Sequence, residues 1–117
     1  TRQFEKFDVH QAIEAGIHIL RREKQIIEEH CLFAKEQEWN SYRIKSINAT
    51  SFISEIGNIL CESNDIDFAL MYFRRTDGIW QYSLRSIKDF DVSEIAKKYG
   101  GGGHKNAAGF ESQELLV

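Results

Sequence analysis

The sequence has little of several things, and each shortage excludes something. No apolar run approaches the ~18 residues that a membrane-crossing helix needs, and no signal-peptide pattern opens the chain. Basic charge is not in excess: 15 Lys and Arg stand against 18 Asp and Glu, a net charge of −3. A broad electrostatic grip on duplex nucleic acid is therefore excluded, and any anion must be bound locally. There are only two cysteines, Cys31 and Cys61, with neither metal-type spacing nor a disulfide framework. They read as buried free thiols in a reducing compartment, with the cytoplasm as the default. Of the four histidines, His10, His18, His30 and His104, none stands beside another. The first three lack carboxylates at matching spacing and read as helix-surface residues, not metal ligands. Glycine is scarce too, yet four of the eight glycines are consecutive, Gly100 to Gly103.

That run is the most informative stretch. Four glycines lose more conformational freedom on ordering than any other tetrapeptide, so an ordered run implies unusual dihedrals or close approach to the backbone. Glycine amides can turn toward an anion with no side chain in the way. His104 follows directly and can donate a hydrogen bond to a phosphate oxygen. Ala107, Ala108 and Gly109 keep the next segment thin, and Phe110 is an apolar anchor. A flexible linker is the competing reading of a glycine run. Helical signals before it and Phe110 after it favour an ordered loop.

The length suits one core, preceded by a helical arm. Asp8 and Gln11 form a capping box, so a long helix is expected to start there, with Val9, Ile13, Gly16 or Ile17, Leu20, Ile27, Cys31 and Ala34 at helical spacing and charged residues opposite as far as Glu38. Residues 1–40 are read as this arm and residues 41–117 as the domain. Tyr42 to Asn48 reads as a strand whose Ile44 and Ile47 fall on opposite faces. Thr50 or Ser51 should cap a helix carrying Phe52, Ile53, Ile56, Ile59 and Leu60 on one face. Gly57 inside it costs about 1 kcal/mol relative to alanine, which implies that something packs closely there. The apolar run Phe68 to Phe73 is a central strand covered on both faces, and Asp77-Gly78 turns Ile79 to Ser86 back antiparallel to it. Alternation then puts Trp80, Tyr82 and Leu84 on one face and Gln81, Ser83 and Arg85 on the other. Arg85 offers a planar fork of donors to a phosphate; a solvated face with an ion pair to a carboxylate is the alternative. Asp91 and Glu94 form a second capping box for a short helix through Tyr99, and Gly100 suits its left-handed C-terminal cap. Glu111 to Val117 is a strand end or a frayed tail. The whole is an α+β fold, a mixed sheet of four or five strands with helices packed on it behind a long N-terminal helical linker.

Gly101-Gly102-Gly103-His104-Lys105-Asn106-Ala107-Ala108-Gly109-Phe110 resembles the GGGHxxAAGF signature of the DHH-associated C-terminal domain, the substrate-binding half of DHH-superfamily phosphoesterases. Tyr82-Ser83-Leu84-Arg85-Ser86 and Asp91 to Ala96 resemble the strand and helix that lead into it. The similarity runs from about Tyr42 to Phe110. It implies that Arg85 clamps a substrate phosphate, that Ser83 or Ser86 adds a hydroxyl, and that amides of Gly101, Gly102 and Gly103 and the imidazole of His104 meet the same group. Lys105 and Asn106, at the motif's variable places, would read a base or a terminal phosphate. The implied partners are a short oligonucleotide, a nucleotide or polyphosphate, and an N-terminal catalytic domain of the same protein, with no membrane; a homodimer stays open. The family's catalytic half holds manganese with an Asp-His-His motif and further aspartates. No such tripeptide occurs here, so this chain is expected to bind no cofactor and to have no activity alone. Thr1 in place of methionine fits an excerpt from the C-terminal part of a longer protein. A non-catalytic nucleic-acid-binding or dimerisation module, as appended to alanyl-tRNA synthetases, is the alternative.

Overall fold

A computed structural model describes the backbone from Arg2 to Val117 and the side chains from Gln11 onward. The cap expected of Asp8 and the placements of Val9 and His10 lie outside those side chains. The elements are α1 (Arg2–Cys31), β1 (Lys35–Trp39), β2 (Tyr42–Asn48), α2 (Ile53–Cys61), β3 (Phe68–Arg74), β4 (Trp80–Arg85), α3 (Val92–Lys98), β5 (Gly102–His104) and β6 (Ala107–Ser112). The strands form one mixed sheet in the order β1-β2-β3-β4-β6-β5. Only β2 and β3 are parallel, joined through α2; the other neighbours are antiparallel. The fold is α+β, as the pattern of elements implies.

Each face of the sheet has its own core. On one, Ile44, Phe68, Leu70, Tyr82, Leu84 and Phe110 pack under Val92, Ile95 and Ala96 of α3. On the other, Ile47, Ala69 and Met71 pack under Ile56 and Leu60 of α2, with Ile27 from α1. This explains the poor alternation of β2: Ile44 and Ile47 point to opposite faces, and both faces are buried. β3 is central and doubly covered, as its apolar run requires. Burial of one such residue, for instance Phe110 at 2% exposure, stabilises the fold by about 1.5–3 kcal/mol.

Several local expectations need correction. The first helix begins at Arg2 and stops at Cys31, so the helical arm does not run to residue 40. Lys35–Trp39 is instead an edge strand, returned into β2 through Asn40 and Ser41, both at positive φ (50° and 71°), as a two-residue primed turn requires. Neither Thr50 nor Ser51 caps α2; Phe52 takes the N-cap position at φ 56° without a side-chain cap bond. Its ring packs against the Ile47–Ile56 core, and burial overrides the usual polar preference. The glycine run is not wholly loop, because Gly102–His104 pairs with β6 as a short edge strand. Of the two readings of the C-terminal segment, the strand end holds through Ser112, and the residues after it are tied down rather than frayed. Tyr82 donates to the Glu114 carbonyl (3.1 Å) and accepts from the Leu116 amide (2.8 Å), and the Trp39 indole donates to the Leu116 carbonyl (3.0 Å).

Other expectations hold. Asp91 caps α3, accepting from the Ser93 amide at 2.9 Å, while Glu94 turns to Lys97 (3.5 Å) instead of reaching back. Gly100 takes φ +84°. Its amide donates to the Lys97 carbonyl (3.1 Å) and that of Gly101 to the Ala96 carbonyl (2.8 Å), the paired bonds of a Schellman cap. Tyr99 stacks on Phe110 with ring centroids 4.6 Å apart, which lays the glycine run along β6.

Candidate functional site

Strand register builds one open face. Arg85 on β4 is the partner of Ala107 on β6, and Ala107 is in turn the partner of His104 on β5. The next row is Ser83, Gly109 and Gly102. Partners across a sheet project to the same side, so Arg85, His104 and Ser83 all leave the face opposite buried Tyr82 and Leu84. With strands about 4.8 Å apart, the Arg85 and His104 backbones stand roughly 10 Å from each other. Between them lie only a methyl group, a hydroxymethyl group and two glycines. The floor is therefore shallow, and it continues past Gly109 into a cleft of about 420 Å³ lined by Gln81, Gly101 and Glu111. The cleft beside His30, Lys35 and Tyr72, about 400 Å³, includes none of Ser83, Arg85, Gly102 and His104.

The glycines divide by cause. A Cβ on Gly101 would lie 2.1 Å from the Gly109 carbonyl oxygen, and one on Gly103, at φ +145°, 2.5 Å from the Ala108 Cα. The close approach of the run to β6 demands these two. A Cβ on Gly102 would meet nothing within 4 Å. Gly102 faces open space, and no contact within the fold requires it to be glycine.

Arg85 is held by α2, which packs beside it on the same face of the sheet, over Ala69 and Met71. Its Nη2 donates to Ser54 Oγ (3.3 Å) and its Nη1 to the Leu84 carbonyl (3.1 Å). The close neighbour implied by Gly57 is Arg85 itself, since a Cβ there would lie 2.5 Å from the Arg85 Cγ. None of the ion pairs found among the described residues uses Arg85, so its donors are not committed to a carboxylate there.

Residues 42–116 match the DHHA1 domain. The chain belongs to the DHHA1 domain family. Among curated proteins it is similar to the oligoribonuclease NrnB of Bacillus subtilis, at 37% identity over 84% of this chain and 24% of that protein. Among solved structures it resembles an exopolyphosphatase-related protein from Bacteroides fragilis (TM-score 0.60, 22% identity, 79% of this chain, 30% of the other). It also resembles the pGpG-specific phosphodiesterase PggH from Vibrio cholerae (TM-score 0.58, 14% identity, 84% of this chain, 36% of the other). At these identities the structural likenesses concern the fold. The chain spans about a quarter of the length of the curated relatives it matches.

In this DHHA1 domain the remaining candidates are placed differently. Ser86 is buried; its hydroxyl donates to the Phe90 carbonyl (2.7 Å) and accepts from Asn106 Nδ2 (2.9 Å). Its amide donates to the Asn106 carbonyl (3.1 Å). Following Arg85 by one residue, Ser86 turns away from the open face, and the pair locks the loop before α3 onto the β5–β6 turn. Lys105 pairs with Asp89 at 3.4 Å. No group of three or more His, Cys, Asp or Glu among the described residues could hold a metal ion, and no described helix is long and apolar enough to cross a membrane. Cys61 is buried, and desolvation pushes its thiol above the ordinary range. It stays protonated and donates to the Arg85 carbonyl (3.2 Å). Sequence reasoning missed Ser54, although Gly57, one turn later, marks the same helical stripe.

Proposed function

We propose that this domain holds the phosphate of a short oligonucleotide for hydrolysis by a catalytic domain elsewhere in the same protein. The observation that carries the reading is the row Arg85–Ala107–His104, two donor side chains flanking a floor without bulk. The guanidinium grips the phosphate by two parallel N–H···O bonds. The His104 imidazole N–H donates from the edge strand, the Ser83 hydroxyl from the floor, and Gly102 admits the ligand to the backbone. Successive amides of a strand point to opposite sides, so of Gly102 and Gly103 on the edge strand one amide turns toward β6 and the other toward the open edge, where it can meet the ligand. Ser86 and Asn106 keep the loop and turn in place beneath this clamp, and Lys105 stands at the rim. The domain contributes orientation, which converts an encounter into a fixed geometry.

The resemblance implies manganese for the catalytic domain, where a metal would supply an activated water. The residues described here do not fit a metal centre, and their roles are binding and positioning only. The name of the Bacillus relative, an oligoribonuclease, supports oligonucleotides over polyphosphate and a phosphoesterase over an appended nucleic-acid-binding module. Two unpaired thiols, Cys31 and Cys61, support a reducing, cytoplasmic setting.

Calorimetric titration with a 5′-phosphorylated dinucleotide and its dephosphorylated counterpart tests the reading. The phosphorylated ligand is expected to bind more tightly, and Arg85→Ala to cost about 1.5–3 kcal/mol of that affinity, the scale of a hydrogen bond to a charged group. Equal affinities for the two ligands would contradict it.

A further inference from the structure

We propose that α2 is the positioning element for Arg85 and that Gly57 sets how the guanidinium is presented; the proposal rests on the phosphate-clamp reading above. Three residues of α2 touch Arg85, at three levels of its length. Ser54 Oγ accepts from Nη2 (3.3 Å), Gly57 lies over the aliphatic stem, and the Cys61 thiol donates to the backbone carbonyl (3.2 Å). Positions 54, 57 and 61 follow the i, i+3, i+7 spacing of a single helix stripe, so the helix lies along the arginine rather than merely near it.

The fit leaves no room for a methyl group. A Cβ at position 57 would lie 2.5 Å from the Arg85 Cγ, 2.8 Å from its Cβ and 3.0 Å from the Met71 Cε. The Arg85 Cβ is fixed by the β4 backbone and cannot yield. α2 must therefore shift away from β4, with or without a change of the arginine rotamer, and the shift moves Ser54 away from the guanidinium. A helix-interior glycine costs about 1 kcal/mol relative to alanine. Here it allows the stem to be clamped before any ligand arrives, so less rotamer freedom is lost on binding.

The test is titration of the chain with a 5′-phosphorylated dinucleotide for wild type, Gly57→Ala, Ser54→Ala, Arg85→Ala and the doubles Gly57→Ala/Arg85→Ala and Ser54→Ala/Arg85→Ala. Gly57→Ala is expected to weaken binding about fivefold or more and Ser54→Ala about two- to threefold, as for directly contacting residues. Neither is expected to add a further loss once Arg85 is alanine. Should Gly57→Ala fail to fold, Ser54→Ala, which adds no volume, carries the test. Wild-type affinity in the folded single variants, or the same loss with and without Arg85, overturns the proposal. If Arg85→Ala itself leaves affinity unchanged, the clamp reading falls. Positioning is then judged on the Arg85 Nε–H resonance of the free protein: a shift in Gly57→Ala, or in Ser54→Ala if the former does not fold, supports it, and an unmoved resonance overturns it.

Discussion

Arg85 and His104 are both register partners of Ala107, one from β4 and one from β5. They therefore leave the same face of the sheet with a single methyl group between their strands. The adjacent row, Leu84, Ala108 and Gly103, turns the other way, toward the core under α3. One residue of register slip would exchange the two rows and bury the donors. What protects the register is the stacking of Tyr82 on Phe110 (4.7 Å) and of Phe110 on Tyr99 (4.6 Å).

The glycine run separates structure from binding in a way that two substitutions read out. Gly101→Ala places a Cβ 2.1 Å from the Gly109 carbonyl oxygen and 2.6 Å from the Phe110 Cβ. It is expected to destabilise the domain by about 1–3 kcal/mol, the range for overpacking. Gly102→Ala meets nothing within 4 Å and is expected to leave the urea midpoint unchanged while weakening binding of a phosphorylated ligand. Equal urea midpoints for the two variants would count against this division.

Tyr82 joins the sheet to the C-terminal tail through two hydrogen bonds of its hydroxyl. Tyr82→Phe keeps the stacking on Phe110 and strands the Leu116 amide. A loss of about 0.5–1.5 kcal/mol is expected, the net worth of a typical hydrogen bond at this half-buried position, together with faster hydrogen exchange at Leu116. Unchanged exchange there would show that the tail is held by its apolar contacts alone.

Asp91 gives α3 a pH dependence with a definite sign. The Ser93 hydroxyl, followed by backbone amides of Ser93 and Glu94, holds its carboxyl below the ordinary value of 3.8. A depressed folded value means that the cap's stabilisation is fully present above the unfolded value and is lost as pH falls through the folded one. Wild type is expected to be more stable than Asp91→Ala at neutral pH, with the gap closing in acid. Ser93→Ala should return the Asp91 carboxyl toward its ordinary range, as followed by NMR titration. A stability gap independent of pH would remove the carboxylate from the account.

Much of this was legible where local chemistry and burial agree. The β2 and β3 strands, the Asp77–Gly78 turn, the Asp91 cap and the left-handed Gly100 all follow from side-chain pattern and backbone preference. The parity of β4 put Ser83 and Arg85 on the open face, and Gly57 announced a close neighbour without naming it. What stayed hidden depends on tertiary contacts. Lys35–Trp39 is polar because it is an edge strand, so it reads like the tail of a charged helix. Phe52 replaces a polar cap because its ring has a core to enter. Ser86 and Asn106 sit within a binding signature, yet their hydrogen bonds go to one another and to the loop at Phe90. Only the register revealed that His104 and Arg85 share a row.

The most direct measurement is a double-mutant cycle between Arg85→Ala and His104→Ala, read by calorimetric titration with a 5′-phosphorylated dinucleotide and with its dephosphorylated counterpart. Two side chains gripping one phosphate are expected to couple by about 0.5 kcal/mol or more, with both losses confined to the phosphorylated ligand. Strictly additive losses, or losses of equal size for the two ligands, would contradict the convergence of these residues on a single anionic group.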